Sequence, residues 1–195
     1  MKSGWAIFLL LALSLPSIGS AQTTLRPDDA ARLDGFTTSA GNALLQALSG
    51  GDSQDIAALT KALSGAPQIA FDETLSGDWR CRTMKLGGIS PLVVYTPFGC
   101  RITATDTGFG FEKLTGSQRT KGTIFLRNGR AIYAGVGYVA GETVPDYADL
   151  PADFTSDGRI QSDVAVFERI SPTRARLMFP SPAVESDFDI LELTR

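Results

Sequence analysis

The run GTIFLRNGRAIYAGVGY, Gly122 to Tyr138, decides how this chain folds. Two stretches rich in β-branched and aromatic residues flank Asn128-Gly129. A type I′ turn needs positive φ at both central residues, and Asn-Gly supplies that at least cost. The stretch reads as a β-hairpin. In that register Arg127 faces Arg130, and like charges directly opposite repel modestly, so this end is expected in solvent or beside acids.

Working upstream, Trp79, Cys81 and Thr83 alternate with Arg80, Arg82 and Met84, the period of two of a strand with distinct faces. Leu92 to Thr105 contains Pro97 and Gly99, so it is expected to be bent, bulged or at an edge. Past that irregularity Cys100 and Ile102 share one face, Arg101 and Thr103 the other. Phe109, Phe111 and Leu114 suggest a further strand leading to Gly116. Downstream, an acidic loop with Pro145 and Pro151 precedes three more strands, DVAVFERI, RARLMF and FDILEL. The loop lacks the spacing of a calcium site.

Pro27 to Leu63 follows a different rule. Phe36, Ala40, Ala43, Leu44, Ala47 and Leu48 recur at three- and four-residue steps, and Ile56, Leu59, Ala62 and Leu63 continue the stripe after Gly50-Gly51. Asp52 or Ser53 caps the second helix, and Gly65-Ala66-Pro67 stops it. The fold class is α+β: an N-terminal helical pair (residues 22–66) packed on an antiparallel β-barrel or strongly curved sheet of about eight strands (residues 75–195). Residues 22–195 suit a single domain.

Residues 1–21 read as a secretory signal: Lys2, then the apolar core Ala6 to Leu15, then Gly19-Ser20-Ala21 for cleavage. Without a cysteine after that site no lipid anchor is expected, and no later run is long enough for stable membrane insertion. The expected location is periplasmic or secreted. In that oxidising setting Cys81 and Cys100, the sole cysteines, pair as a disulfide.

The chain has no histidine, which excludes Ser-His-Asp and Cys-His catalysis and His-ligated zinc. No metal site and no cofactor is expected. Charge is uneven: Leu75 to Arg130 carries nine basic and three acidic residues, while both flanks are acidic. Such a middle either presents an anion-binding face or is neutralised internally on folding. With an acidic pI of about 5.0 and no aromatic-basic RNA-binding motif, nucleic acid is not an expected partner.

The densest chemistry is GSQR, Gly116 to Arg119, between Lys113 and Lys121. Gly116 lets the backbone turn, Ser117 and Gln118 add neutral donors, and Arg119 can fork onto a carboxylate or phosphate. A plain strand-to-strand turn explains the same residues. With Arg80, Arg82 and Arg101, which share the face opposite the cysteines, Ser117, Gln118 and Arg119 form the candidate ligand-binding set.

At LSGDWRCRTMKL, KLTGSQRTKG and LMFPSPAVESDFDILEL the chain resembles an uncharacterised family of exported bacterial proteins, domain of unknown function 4893. Gly77, Trp79, Cys81, Arg82, Lys85, Cys100, Gly116, Ser117, Gln118, Arg119, Glu185 and Ser186 carry that resemblance, which implies a Gram-negative periplasmic or secreted setting and no particular activity. Gly77-x-Trp79 with a nearby disulfide is also similar to lipocalin-like barrels and to periplasmic protease inhibitors. The function expected is a noncatalytic protein binding a small anionic ligand or an acidic partner surface. The alternatives are an inhibitor or assembly factor for an envelope hydrolase, and a histidine-free hydrolase using carboxylates. Two carboxylates meeting in a cleft favour the last.

Overall fold

A computed structural model describes residues 24–68 and 71–195; the leader expected over residues 1–21 lies outside them. Its strands are β1 (Gly77–Leu86), β2 (Leu92–Val94), β3 (Phe98–Thr105), β4 (Gly108–Lys113), β5 (Gln118–Arg127), β6 (Arg130–Val139), β7 (Ile160–Ser171), β8 (Arg174–Pro180) and β9 (Phe188–Thr194). All pairings are antiparallel, and β9 returns to pair with β1 from Arg80↔Thr194 to Leu86↔Phe188. Closure of β1 with β3 to β9 makes an eight-stranded barrel with β2 as the extra strand. The irregularity around Pro97 explains β2: it divides one bent run in two, so β3 pairs with the first half of β1 and β2 with the last residues.

The alternation in the sequence sorts side chains between two cores. Trp79, Cys81, Cys100, Ile102, Phe111, Tyr133, Leu177 and Leu193 fill the barrel interior. The Cys81–Cys100 disulfide joins β1 to β3 there, with Cα atoms 5.8 Å apart. Beside it the Trp79 indole donates to the Leu75 carbonyl at 2.9 Å, and the Arg195 guanidinium lies 4.1 Å from the Trp79 ring centroid. A short 3-10 turn, Glu73–Leu75, places Leu75 in this core, so one end of the barrel is plugged.

The opposite parity serves the second core, outside the barrel. Ala43, Ala47, Leu59 and Ala62 pack with Met84, Leu86, Phe125, Ile132, Val136 and Ile190. The expected helical pair is a trio: α1 (Pro27–Asp34), α2 (Phe36–Gly50) and α3 (Ser53–Leu63). Gly35 ends α1, its N–H bonding the Ala31 carbonyl at 3.0 Å, and α2 starts directly after it. Asp52 caps α3, accepting from the Gln54 amide at 2.8 Å. At the other end Arg174 and Arg176 of β8 donate to the carbonyls of Lys61 (2.7 Å) and Leu63 (2.6 Å). Cations on the last carbonyls complement the helix dipole and tie α3 to the barrel wall.

The decisive hairpin is present. Asn128 and Gly129 have φ of 52° and 76°, and Arg127 stands opposite Arg130. Arg130 is exposed and lies 5.1 Å from the ring centroid of Phe36, so the facing charges are accommodated by solvent and by stacking on α2.

Candidate functional site

Following the inward-facing positions of the strands away from the plugged end, the side chains turn from apolar to charged. β1 continues past Cys81 to Thr83 and Lys85, β4 ends on Lys113, β5 begins with Gln118 and Thr120, β7 brings Gln161 and Asp163, and β9 brings Asp189. Together with Arg119, Phe179, Pro182 and Val184 they line a cavity at the open end of the barrel, with about 70 Å³ open to the centre of a water molecule. Beside it β6 carries Gly135 and Gly137 at inward positions, where the Tyr133 and Asp163 side chains take the space a further side chain would need. A Cβ on Gly137 would lie 2.6 Å from Asp163 Oδ2, and one on Gly135 only 2.1 Å from the Tyr133 hydroxyl. That hydroxyl shares a 2.7 Å hydrogen bond with Thr120 Oγ1 in the buried layer beneath.

Three cations and three carboxylates meet here, and burial shifts Lys113, Asp163 and Asp189. Desolvation, followed by the charges of Lys85 and Arg119, lowers Lys113 to about 8. Its ammonium donates to the Gln118 carbonyl at 2.5 Å and sits 4.1 Å from the Phe98 ring centroid. Desolvation raises Asp189 to about 7, although the Ser186 hydroxyl donates to it at 2.6 Å. Burial likewise raises Asp163 to about 6, against hydrogen bonding from Thr120 and Gln161 and the charge of Arg32. Glu185 behaves oppositely: its hydrogen bond with Lys85 lowers it. A cluster without histidine thus carries groups that change charge around neutral pH.

GSQR forms the turn from β4 into β5. Gly116 has φ of +93°, and a Cβ there would meet the Phe98 ring at 2.9 Å, so the position requires glycine. Ser117 is exposed on the rim. Gln118 accepts from Lys85 Nζ at 2.8 Å, and Arg119 donates to the Gly116 carbonyl at 3.1 Å while lining the cavity. The turn therefore satisfies its own backbone and sends two side chains to the barrel mouth.

The structure does not bring Arg80, Arg82 and Arg101 into this cavity. All three face outward from the barrel wall, opposite the cysteines. Arg82 and Arg101 belong to alternating charge ladders: Arg82, Glu192, Arg176 and Glu168 stand directly across β1, β9, β8 and β7, and Asp78, Arg101, Glu112 and Lys121 across β1, β3, β4 and β5. Arg82 binds the Glu192 carboxylate through Nε (3.1 Å) and a terminal nitrogen (2.7 Å), and Arg101 donates to Asp78 at 2.7 Å. Opposite charges across strands are mutually stabilising, and they absorb three of the nine basic residues in the middle of the sequence. Arg80 is exposed and has no ion pair among the described residues.

Lys85, Lys113, Asp163 and Asp189 stand outside the site set chosen from sequence. Asp163 precedes Ala165 and Phe167 in phase, and Asp189 precedes Leu191 and Leu193, so each is an acid on the apolar face of its strand. Lys113 follows Phe109 and Phe111 in phase, a basic residue at an inward position. Gly135 and Gly137 carried a further signal, since glycine inside a strand marks close approach.

Among the described residues no cluster of three or more metal-ligating side chains forms, and no helix is long and apolar enough to cross a membrane. No curated protein and no solved structure matches the chain. The model of one family does match, over residues 21–193, a span that holds the barrel but for Thr194 at the end of β9, together with its plug and its charged mouth. The chain belongs to the family described as Domain of unknown function (DUF4893).

Proposed function

We infer that the open end of the barrel binds a small anionic ligand without transforming it, in a protein exported to the periplasm or beyond. One observation carries this reading: Lys85, Lys113 and Arg119 line one cavity, where burial first and then the charges of Lys85 and Arg119 depress the Lys113 pKa, and a bound anion would offset that crowding of like charges. The space open to the centre of a water molecule is about 70 Å³, room for a small head group and not for a large ligand. That suits a carboxylate, phosphate or sulfonate head. Gln118 and Arg119 supply the neutral and forked donors, with Ser117 on the rim. The Cys81–Cys100 disulfide supports an oxidising compartment.

A second reading rests on a different observation, that Asp163 and Asp189 both line the cavity with raised pKa values. Such a pair can divide the roles of acid and base in a hydrolase. Native mass spectrometry of the protein exported with its own leader separates the two. Binding predicts a small anion retained by the wild type and lost from Lys113→Met, with no turnover of chromogenic esters, phosphates or glycosides. Turnover abolished by Asp189→Asn would establish the hydrolase instead. A wild type that retains nothing and turns over nothing contradicts both.

A further inference from the structure

Across the barrel mouth runs the strap Ser181 to Asp187, SPAVESD, between β8 and β9. Pro182 and Val184 form part of the cavity wall, and Glu185 reaches back to its charged lining. The Glu185 carboxylate accepts from Lys85 Nζ, and Gln118 Nε2 lies 3.3 Å from each of its oxygens. The two partners differ in character: the Lys85 side chain is 9% exposed and belongs to the barrel, whereas that of Glu185 is 42% exposed and arrives from outside.

The backbone is arranged to deliver this carboxylate. Glu185 has φ of +70°, a conformation that costs a non-glycine residue energy and persists only where its surroundings enforce it. Enforcement comes from the β1–β2 turn, where the Ile89 amide donates to the Glu185 carbonyl at 3.0 Å and the Gly88 backbone packs against it. The main chain is pinned while the side chain projects, half exposed, from that anchor.

Resting on the reading of the cavity as an anion site, we propose that Glu185 is a tethered stand-in for the ligand, and that the ligand is a small free carboxylate. Its carboxylate takes the place of Glu185 between Lys85 and Gln118, and the Glu185 side chain swings into solvent while its backbone stays. A monoanion fits better than phosphate, because Asp163 and Asp189 face the same space and repel a second negative charge. A tethered competitor lowers apparent affinity by the fraction of time it occupies the site, so removing its charge raises affinity without adding a contact to the ligand.

The test is amide NMR titration of the full exported protein with acetate and with inorganic phosphate, read at the Gln118 side-chain amide. Glu185→Gln is expected to bind acetate about tenfold or more tighter than wild type. Phosphate should gain less, and adding Lys85→Met should abolish binding. Glu185→Asn serves as the second variant, since asparagine tolerates positive φ and its shorter arm cannot reach Lys85. Acetate binding that depends on Lys85 but is no tighter in either Glu185 variant overturns the stand-in and leaves the anion site standing. An equal gain for phosphate overturns the choice of carboxylate. Binding of neither anion in any variant overturns the anion site itself.

Discussion

Asp189 shows how a side chain can serve a site at a cost to the fold. Burial lifts it to about 7 and Asp163 to about 6, above the ~3.9 of an unfolded aspartate. Between about pH 4 and 7 the folded chain holds protons that the unfolded chain has released. The stabilisation from these raised values is complete below that window and is lost as pH rises through about 7. Asp189→Asn keeps the shape and can still accept from Ser186, but removes this linkage. Its melting temperature should exceed that of the wild type at about pH 8, and its stability should fall less steeply from about pH 5 upward, measured by thermal denaturation at each pH. Residues of this kind are hard to choose from sequence, because an inward acid and an outward acid look alike until the strand's phase is fixed. Glu192 and Asp189 lie on the same strand with opposite parity; one joins a ladder on the wall, the other enters the mouth.

Helix α1 and strand β7 illustrate what attaches one element to another. Two acids follow Pro27 in the first turn of α1, where acids favour the positive end of the dipole, and Asp28 fits that role on the surface. Asp29 is only 1% exposed. It accepts from the Tyr147 hydroxyl at 2.6 Å, the Ser162 hydroxyl at 2.9 Å and Arg32 at 3.0 Å, joining α1 to β7 and to the acidic loop. Burial and the hydrogen bond to Asp29 raise the Tyr147 pKa, keeping that phenol protonated as a donor. Removing one partner from a buried charged network leaves the other uncompensated, so Asp29→Ala should destabilise the fold by about 3 kcal/mol. Urea denaturation followed by circular dichroism checks this, with Asp28→Ala, which lacks such partners, expected near neutral. The hairpin around Asn128-Gly129 was legible because its turn chemistry is local. The role of Asp29 was not, since two of its three partners, Tyr147 and Ser162, lie more than a hundred residues away.

For the molecule as a whole, alternation along each strand was enough to infer a barrel or curved sheet, and two cysteines in a chain expected to be exported pointed to the Cys81–Cys100 disulfide. Closure depends on β9 pairing with β1, a contact between distant parts of the chain that no local pattern encodes. Closure also decides which charges meet. It sends Arg82 to Glu192 on the outer wall, and Lys85 to Asp189 and the Glu185 strap in the mouth. Under the proposed function the mouth, and not the arginine-bearing wall, captures an anion. That claim is tested most directly by the affinity for acetate between about pH 5 and 9 in wild type, Lys113→Met and Arg80→Ala, measured by NMR titration. The claim predicts affinity that falls as Asp189 ionises near 7 and Lys113 loses its proton near 8, a loss of about tenfold or more at pH ~6 in Lys113→Met, and no change in Arg80→Ala. An affinity indifferent to pH and to Lys113, but lost with Arg80, would contradict it.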